Sequence, residues 1–404
     1  MRTGLWAVAL AATVASPTGV LQAQRVEFTG EVGFETRLFP QAPLYPGQHS
    51  ARLSPSIRFE PELRYEWGGG DGSWRFTATG FLRLDAHDGR RSHVDIRELG
   101  LLYLGNGVTA FAGIGKVFWG VTEVNHLVDI INQDDAVEDI DREDKLGQPM
   151  VNFTLEGGWG SLDLFYLPRF RERTFPGDDA RLRGPVPVSS DATFESGAGV
   201  WHQHFALRWS RPFGAFDLGT SFFRGTSREP RFQLATDTQG SAFLRPHYDV
   251  IDQVGVDVQW TGAAALLKLE AITRGSYGDR FVAATGGIEY TLYQLLSGNS
   301  DLGLLAEFMV DGRNADAPPT VFDHDVFVGF RWALNDVHDT SILGGPVIDY
   351  ETGEMLVLVE ATRRIGDDWR FELEARLFAN TDLESFTYAL RKDSFVTVRL
   401  SRFF

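Results

Sequence analysis

An acidic run between residues 129 and 141 is the densest group of side chains in this sequence that could do chemistry. Its members are the carboxylates Asp129, Asp134, Asp135, Glu138, Asp139 and Asp141. Carboxylates grouped in this way can bind a divalent cation or create a strong local field that acts on passing solutes. A helix–loop–helix calcium site is excluded, because Asp144 stands where glycine is required and Met150 where glutamate is required.

Two histidines form a second candidate group. His202 and His204 share one face of an extended chain, so they could supply two metal ligands or the base of a hydrolase. The sequence near them offers no third ligand, and the chain has no nucleophile elbow, metalloprotease or phosphate-loop motif. We therefore expect two histidines at a rim, no metal, no cofactor and no enzyme. A barrel enzyme with a Ser/His/Asp or paired-carboxylate site remains the alternative.

Five arginines lie close together in the region from residue 169 to residue 183, namely Arg169, Arg171, Arg173, Arg181 and Arg183. They could recognise anions, but a solvated basic loop is the simpler interpretation.

Charged and apolar residues alternate strictly in several segments, most clearly in residues 52–67. Leu53, Ile57 and Phe59 fall on one face, whereas Arg58 and Glu60 fall on the other. Only a strand separates residues of this spacing onto opposite faces. The charged residues of these segments that we expect to line an interior are Arg58, Glu60, Glu62, Arg64, Arg75, Arg83, Lys268, Glu270, Arg274, Glu360, Arg370, Glu372, Glu374 and Arg376.

The same reading gives about 18 candidate strands, many of them longer than the usual soluble strand. Their approximate spans are 25–39, 51–67, 73–87, 92–105, 108–119, 149–157, 160–170, 200–212, 214–228, 246–261, 263–277, 279–296, 300–312, 322–335, 338–350, 353–365, 368–381 and 390–404. Tight Gly/Asn/Asp connections alternate with mostly longer ones, such as 120–148 and 171–199. This alternation is typical of a membrane barrel with short turns on one side and long loops on the other, whereas a soluble sandwich need not show it.

Composition favours secretion and disfavours several function classes. Residues 1–23 contain the apolar run Leu5–Val14 and then Pro17 and Gly19, which predicts a signal peptide followed by one domain, 24–404. The chain has no cysteine, and its net charge of −17 makes nucleic acid a poor partner. No mature segment is apolar enough for a helical span, so a membrane form must be a closed barrel.

Two motifs resemble porin-like outer-membrane barrels. The last strand ends in the aromatic residue Phe404, which resembles the recognition signal of outer-membrane barrel assembly, although Arg402 interrupts its apolar face. The segment Gly115–Gly120, followed by residues 129–134, resembles a recurring element of porin-like proteins, with Gln133 where proline is frequent. The resemblance implies an all-β, antiparallel up-and-down barrel of 16–18 strands, with periplasmic turns and extracellular loops.

The resemblance to porin-like barrels also implies a role for the acidic loop. The third long loop of porins folds inward, so we expect residues 121–149 to narrow the lumen and their carboxylates to face Arg58, Arg64, Arg75 and Arg83. The start of this loop, Val124–Ile131, has apolar residues at helical spacing. A solvated surface loop that binds lipopolysaccharide-bridging cations is the alternative.

The expected function is a channel in the outer membrane for passive diffusion of small hydrophilic solutes; a closed structural or adhesive barrel is an alternative. Expected partners are outer-membrane lipid, lipopolysaccharide and the barrel-assembly machinery, and the chain is expected to be a monomer or homotrimer. Phe404 should face lipid and Phe403 the lumen mouth, and the last strand should pair with the strand near Arg25–Leu38.

Overall fold

A single closed antiparallel sheet forms the body of the protein. The structure, a computed structural model, describes residues 24–70, 72–276 and 279–404, so the predicted signal peptide at residues 1–23 lies outside the described residues. Eighteen strands in these ranges pair with their chain neighbours. The last strand pairs with the first, with Phe403 opposite Glu31, and this pairing closes the barrel. The predicted all-β, up-and-down barrel of about 18 strands is confirmed.

The barrel strands are numbered in chain order. They are β1 Arg25–Leu38, β2 Leu53–Gly69, β3 Gly72–Asp85, β4 His93–Gly105, β5 Val108–Gly115, β6 Gln148–Gly157, β7 Gly160–Leu167, β8 His204–Phe213, β9 Phe216–Thr226, β10 Val250–Thr261, β11 Ala265–Gly275, β12 Phe281–Gln294, β13 Ser300–Asp311, β14 His324–Ala333, β15 Ser341–Asp349, β16 Met355–Ile365, β17 Trp369–Ala379 and β18 Phe395–Phe403. The only α-helix in the described ranges is the single turn Leu295–Gly298, and no described helix has the length and apolarity to cross a membrane.

The two faces of the sheet differ as the alternation predicts. Side chains such as Phe28, Phe34 and Leu84 are apolar and exposed on the outside, whereas Glu35 and Arg83 point inward and are buried. Near one rim, Tyr65, Trp67, Trp74 and Tyr103 make a chain of ring contacts on the outside at 4.9, 6.3 and 4.9 Å. Aromatic rings in this position are typical of the boundary between hydrocarbon and headgroups.

The connections at the two rims differ in length. Two-residue turns such as 106–107, 158–159 and 214–215 lie at the end that also holds both chain termini, here called the turn rim. The opposite loop rim carries long connections, the longest being 116–147 and 168–203. The alternation is not uniform, because 350–354 is short at the loop rim and 334–340 is longer at the turn rim.

Several strand ends differ from the predicted ones. The strand expected at 108–119 ends at Gly115, and those expected from 200, 246 and 390 begin at His204, Val250 and Phe395. Upstream of β10 the chain belongs to a separate three-stranded sheet of loop segments 193–194, 231–236 and 242–248. The Asp249 carboxylate, between that sheet and β10, pairs with Arg231 at 2.5 Å.

Candidate functional site

The loop between β5 and β6, residues 116–147, contacts inward-facing side chains of the wall and is here called the inner loop. The carboxylate of Glu270 on β11 accepts hydrogen bonds from the backbone N–H groups of Val121, Thr122 and Val128, at 2.7, 3.0 and 3.1 Å, and from the Thr122 hydroxyl. Glu307 on β13 accepts the next two N–H groups, those of Glu123 and Val124. Two wall carboxylates therefore bind the first part of the inner loop.

The helical spacing of the apolar residues in Val124–Ile131 does not produce a helix. This segment forms turns, and the inner loop's only regular structure is a two-residue ribbon, Gln133–Asp134 with Lys145–Leu146. Within this segment the N–H groups of Val124 and Val128 donate to the wall carboxylates Glu307 and Glu270, and these contacts favour the observed turns over a helix. The apolar residues face the wall instead of a helix neighbour.

An apolar cluster lies on one side of the barrel interior. From the inner loop it includes Trp119, Val128 and Ile131, and these side chains pack with the inward-facing Phe223 and Ile272. Val128 and Ile131 have no exposed surface. Arg228, from the loop after β9, donates two hydrogen bonds to the Ile131 carbonyl, at 3.1 and 2.6 Å. The inner loop is therefore bound on this side by packing and by a buried guanidinium.

The acidic half of the inner loop meets arginines on the other side of the barrel. Glu138 pairs with Arg83 of β3 at 2.7 Å, and His93 of β4 lies 2.8 Å from the same carboxylate. The remaining pairs are Asp139 with Arg37 at 2.8 Å, Asp135 with Arg97 at 2.6 Å and Asp141 with Arg376 at 2.9 Å. We call these contacts the ion-pair network.

The pKa values of several carboxyl groups of the inner loop are shifted by burial and by neighbouring charges. Burial disfavours the charged form of Glu138, but Arg83 outweighs it and holds the pKa of that carboxyl far below its usual range. Asp134 behaves in the same way, with Arg142, Arg173 and Lys145 around it. Burial, together with the nearby Glu138 and Asp139, raises the pKa of Asp144 to about 6.

The prediction that Arg58, Arg64 and Arg75 face the carboxylates of the inner loop is wrong. Arg58 pairs with Glu31 at 2.5 Å, Arg64 with Glu62 at 2.9 Å and Arg75 with Glu66 at 2.5 Å. These are contacts between residues of the wall. Of the four arginines expected to face the loop, Arg83 alone pairs with it in the described structure.

The charged residues that were expected to line the interior form a buried group and a partly exposed group. Arg83, Glu270, Arg274 and Arg376 are at most 5 % exposed, so their side chains contact protein and not the water of a lumen. Arg64 and Arg75, near the turn rim, keep 38 and 36 % of their side-chain surface exposed. Other members of the set also have partners: Lys268 pairs with Glu123, Glu360 with Arg376 and Glu372 with Arg399, and Arg370 lies over the Phe403 ring. Glu60 and Glu374 are half-buried on the same inner face.

Of the expected acidic residues, Asp129 and Asp134 both pair with Lys145, at 3.1 and 2.7 Å. They are thus internal to the inner loop, although Arg173 of the next long loop also contacts Asp134. The basic residues of that next loop likewise bond to protein: Arg171 pairs with Asp95 and Arg181 with Asp393. Arg183 donates to backbone carbonyls, and the Arg169 guanidinium lies over the Trp201 ring.

The histidine pair offers no obvious ligand set. The rings of His202 and His204 lie 5.6 Å apart, and each contacts a hydroxyl, that of Ser196 and that of Thr226 respectively. In the described ranges, three other side chains bring ligand atoms within 4.8 Å of one another, namely His93, Asp135 and Glu138. Both of these carboxylates already belong to the ion-pair network.

The terminal residue Phe404 lies on the exposed outer face. Its ring lies 5.9 Å from that of Phe28 and 6.2 Å from that of Phe59. Its backbone exchanges two hydrogen bonds of 3.1 Å with Gly30, whereas Phe403 carries the Arg370 guanidinium over its ring on the inner side.

Several residues that hold the site were absent from the sequence-based set. Glu35 on β1 pairs with Arg91 at 2.7 Å and with Arg399 at 2.8 Å, and Glu307 binds the inner loop. Glu35 alternates with Phe34 in β1, so the period-two signal used for β2 could have identified it. Arg91 lies in a loop, where periodicity gives no signal.

Comparison with known proteins gives a match in structure. No known protein family and no curated protein matches the chain in sequence. A BenF-like porin from Pseudomonas fluorescens superposes with a TM-score of 0.54 at 10 % identity, covering 94 % of this chain and 98 % of that one. Pseudomonas aeruginosa OpdQ gives 0.52 at 12 % identity, with coverages of 94 and 98 %. OmpT, an outer membrane protein of Vibrio cholerae in a trimer form, gives 0.51 at 11 % identity, with coverages of 95 and 100 %. The chain therefore has the fold of the porin-like outer-membrane β-barrels.

Proposed function

We propose that this protein is an outer-membrane channel through which small hydrophilic solutes diffuse passively, with the inner loop narrowing its lumen. The observation that carries the proposal is the path of that loop, which bonds to Glu270 on β11 and to Arg83 on β3, on different parts of the wall. An 18-stranded barrel without such a loop leaves a wide aqueous interior. A loop held across it reduces the width and sets the charge at the narrowest level.

The charged interior gives the channel its polar lining. The exposed members of the expected set, such as Arg64, Arg75 and Glu360, retain between 36 and 42 % of their side-chain surface. We assign the lining role to them, and a loop-holding role to the buried Arg83, Glu270, Arg274 and Arg376.

We propose transport and not catalysis, with no cofactor and no metal. A barrel enzyme would need histidine or carboxylate side chains for catalysis. His202 and His204 instead contact hydroxyl groups, and acidic residues such as Asp135 pair with arginine. The outer apolar face is proposed to contact membrane lipid and lipopolysaccharide, and Phe404 to be read by the barrel-assembly machinery after removal of residues 1–23. A monomer and a homotrimer both suit this arrangement; the trimer form of Vibrio cholerae OmpT is a precedent from the same fold.

Liposome swelling tests the proposal. Purified protein in liposomes should admit a pentose faster than a hexose and a hexose faster than a disaccharide, because a narrowed lumen sieves by size. Empty liposomes and liposomes with heat-unfolded protein are the controls. Swelling no faster than in these controls for any solute would refute the channel.

A further inference from the structure

A cavity beside the inner loop is lined by both apolar and acidic side chains. It has a volume of about 320 Å³ and lies between the inner loop and strands β14 to β16. Cavities of this size are sufficient for a small organic molecule. Its lining combines apolar and acidic side chains, and this combination suggests which solutes it favours.

The wall side of this cavity is apolar. Phe327, Leu343 and Leu358 line it, and they belong to a cluster that also contains Val347 and, from the inner loop, Val124. This apolar patch faces the interior of the barrel, where sequence alternation places charge on other strands. An aliphatic or aromatic group of a solute would be stabilised when it leaves water and contacts this patch.

The loop side of the cavity contributes an exposed aromatic ring. Phe118 is 56 % exposed, and its ring lies edge-on to His126 at 4.9 Å. Interior aromatic rings with an open face attract organic cations through the ring quadrupole.

Carboxylates dominate the charge that faces the cavity, and the one imidazole among the lining residues, that of His126, lies 3.1 Å from the Glu143 carboxylate. Glu143 and Glu360 line it and keep 56 and 42 % of their side-chain surface exposed, whereas Glu123 is more covered. The Arg376 guanidinium that balances Glu360 is 3 % exposed and is shared with Asp141. The Arg376 guanidinium thus lies behind the Glu360 carboxylate, and Arg331, which pairs with Glu123, does not line the cavity.

We propose that this cavity is a binding station for small amphipathic cations, such as an ammonium group attached to an aromatic or short aliphatic group. The ammonium would lie between Glu143 and Glu360, and the apolar group against Phe118, Leu343 and Leu358. The inference rests on the proposed channel function and names its favoured class of solute. A carboxylate of equal size would meet the same apolar surface but an unfavourable field.

The experiment compares benzylammonium with benzoate, which differ in charge at similar size. In planar bilayers, reversal potentials should give a higher permeability for benzylammonium than for sodium, and a lower permeability for benzoate than for chloride. Glu143→Gln together with Glu360→Gln should reduce the benzylammonium preference about two- to fivefold for each charge removed, the effect of a partly exposed ion pair. Leu358→Ser should reduce it for benzylammonium but leave methylammonium unchanged.

Glu156→Gln is the matched control, because Glu156 is an exposed glutamate near the turn rim, far from this cavity. Benzoate permeating as well as benzylammonium, or the double variant behaving as the control does, would overturn the proposal.

Calorimetric titration of the detergent-solubilised protein with benzylammonium separates this proposal from the channel itself. Binding that is lost in the double variant, combined with no conductance in any salt, would refute the channel and keep the site. Absence of binding together with normal, unselective conductance would refute the site and keep the channel.

Discussion

Glu270 shows how a single wall side chain can fix a loop. One carboxylate accepts three backbone N–H groups and one hydroxyl of the inner loop, and the residue has no exposed surface. Hydrogen bonds to a charged acceptor are stronger than those to a neutral one, and each N–H that loses its acceptor here would be left buried. Glu270 is therefore the residue on which the position of the inner loop depends most.

Glu270→Gln should loosen the inner loop. The amide keeps one acceptor oxygen and adds a donor that faces other donors, so we expect about 2 kcal/mol less anchoring free energy. Hydrogen exchange at Val121, Thr122 and Val128 should accelerate, while exchange in the strands should be unaffected. Glu62→Gln is the control, since Glu62 pairs with Arg64 on the wall and does not touch the loop. Equal protection of the three amides in wild type and variant would contradict the anchoring role.

Asp144 should make stability depend on pH. Its pKa is about 6 in the folded protein, raised by burial and by Glu138 and Asp139, and near ~4 in an unfolded chain. The folded state therefore binds the proton more tightly, so this contribution is present below about pH 4 and is lost as the pH rises through 6.

Asp144→Asn should remove this dependence. Relative to wild type, the variant should gain about 1 kcal/mol in unfolding free energy between pH 5 and pH 7.5. Urea unfolding of both proteins at the two pH values measures the difference. A constant difference between the two proteins would show that Asp144 ionises normally.

At the scale of elements, the close approach of strands β4 and β5 depends on a glycine. Gly113 has a φ of 149°, and a Cβ at this position would lie 2.2 Å from the Leu99 carbonyl oxygen. Both the backbone conformation and the contact require glycine here. The strand pair opens directly into the inner loop, so its packing also sets where that loop leaves the wall.

Gly113→Ala should destabilise the barrel by about 3 kcal/mol, through strain and overpacking. The folded fraction after refolding, read from the mobility of unheated samples on gels, should fall. Gly286→Ala is the matched control, because a Cβ there would lie at ordinary distances of 3.7 Å from Leu269 and 3.9 Å from the Lys268 carbonyl oxygen. Both variants refolding equally would show that β4 and β5 can separate without cost.

The strands could be predicted from sequence because their signal is local. In β2, the alternation of Leu53, Ile57 and Phe59 with Arg58 is a property of the strand itself, and the structure has a strand at Leu53–Gly69. β2 accommodates Pro61 because the β2–β3 pairing is interrupted there, opposite a bulge at Thr79/Gly80. The partners of charged residues could not be predicted in the same way, because they depend on the path of the loop across the interior. Arg58 therefore pairs with Glu31, whereas Arg37 and Arg97 pair with carboxylates of the inner loop.

The inner loop itself shows the same limit. Its position in the chain and its carboxylates were visible in the sequence, but its apolar spacing indicated a helix that does not form. Local periodicity cannot reveal that Glu270 and Glu307, more than a hundred residues away in sequence, accept N–H groups of this segment.

At the scale of the whole molecule, closure depends on the pairing of β1 with β18. The backbone of Phe404 extends this pairing by exchanging hydrogen bonds with Gly30, and its ring contacts Phe28 and Phe59 on the outer face. The last residue thus connects three strands at the seam.

Deletion of Phe404 should impair assembly more than Phe403→Ala does. The deletion removes two backbone hydrogen bonds and two aromatic contacts, whereas Phe403→Ala removes a ring that contacts Arg370 on the inner side. The amount of folded protein in isolated outer membranes measures this. A Phe404 deletion that assembles as well as wild type would show that the seam does not need it.

The central claim is that the inner loop narrows an open lumen. Single-channel conductance in planar bilayers tests it most directly, by comparing the full chain with a variant in which a short Gly/Ser linker replaces residues 121–146. We predict discrete steps for both proteins, with a clearly larger conductance for the variant. Equal steps, or no steps from the wild-type protein at either polarity, would contradict the account.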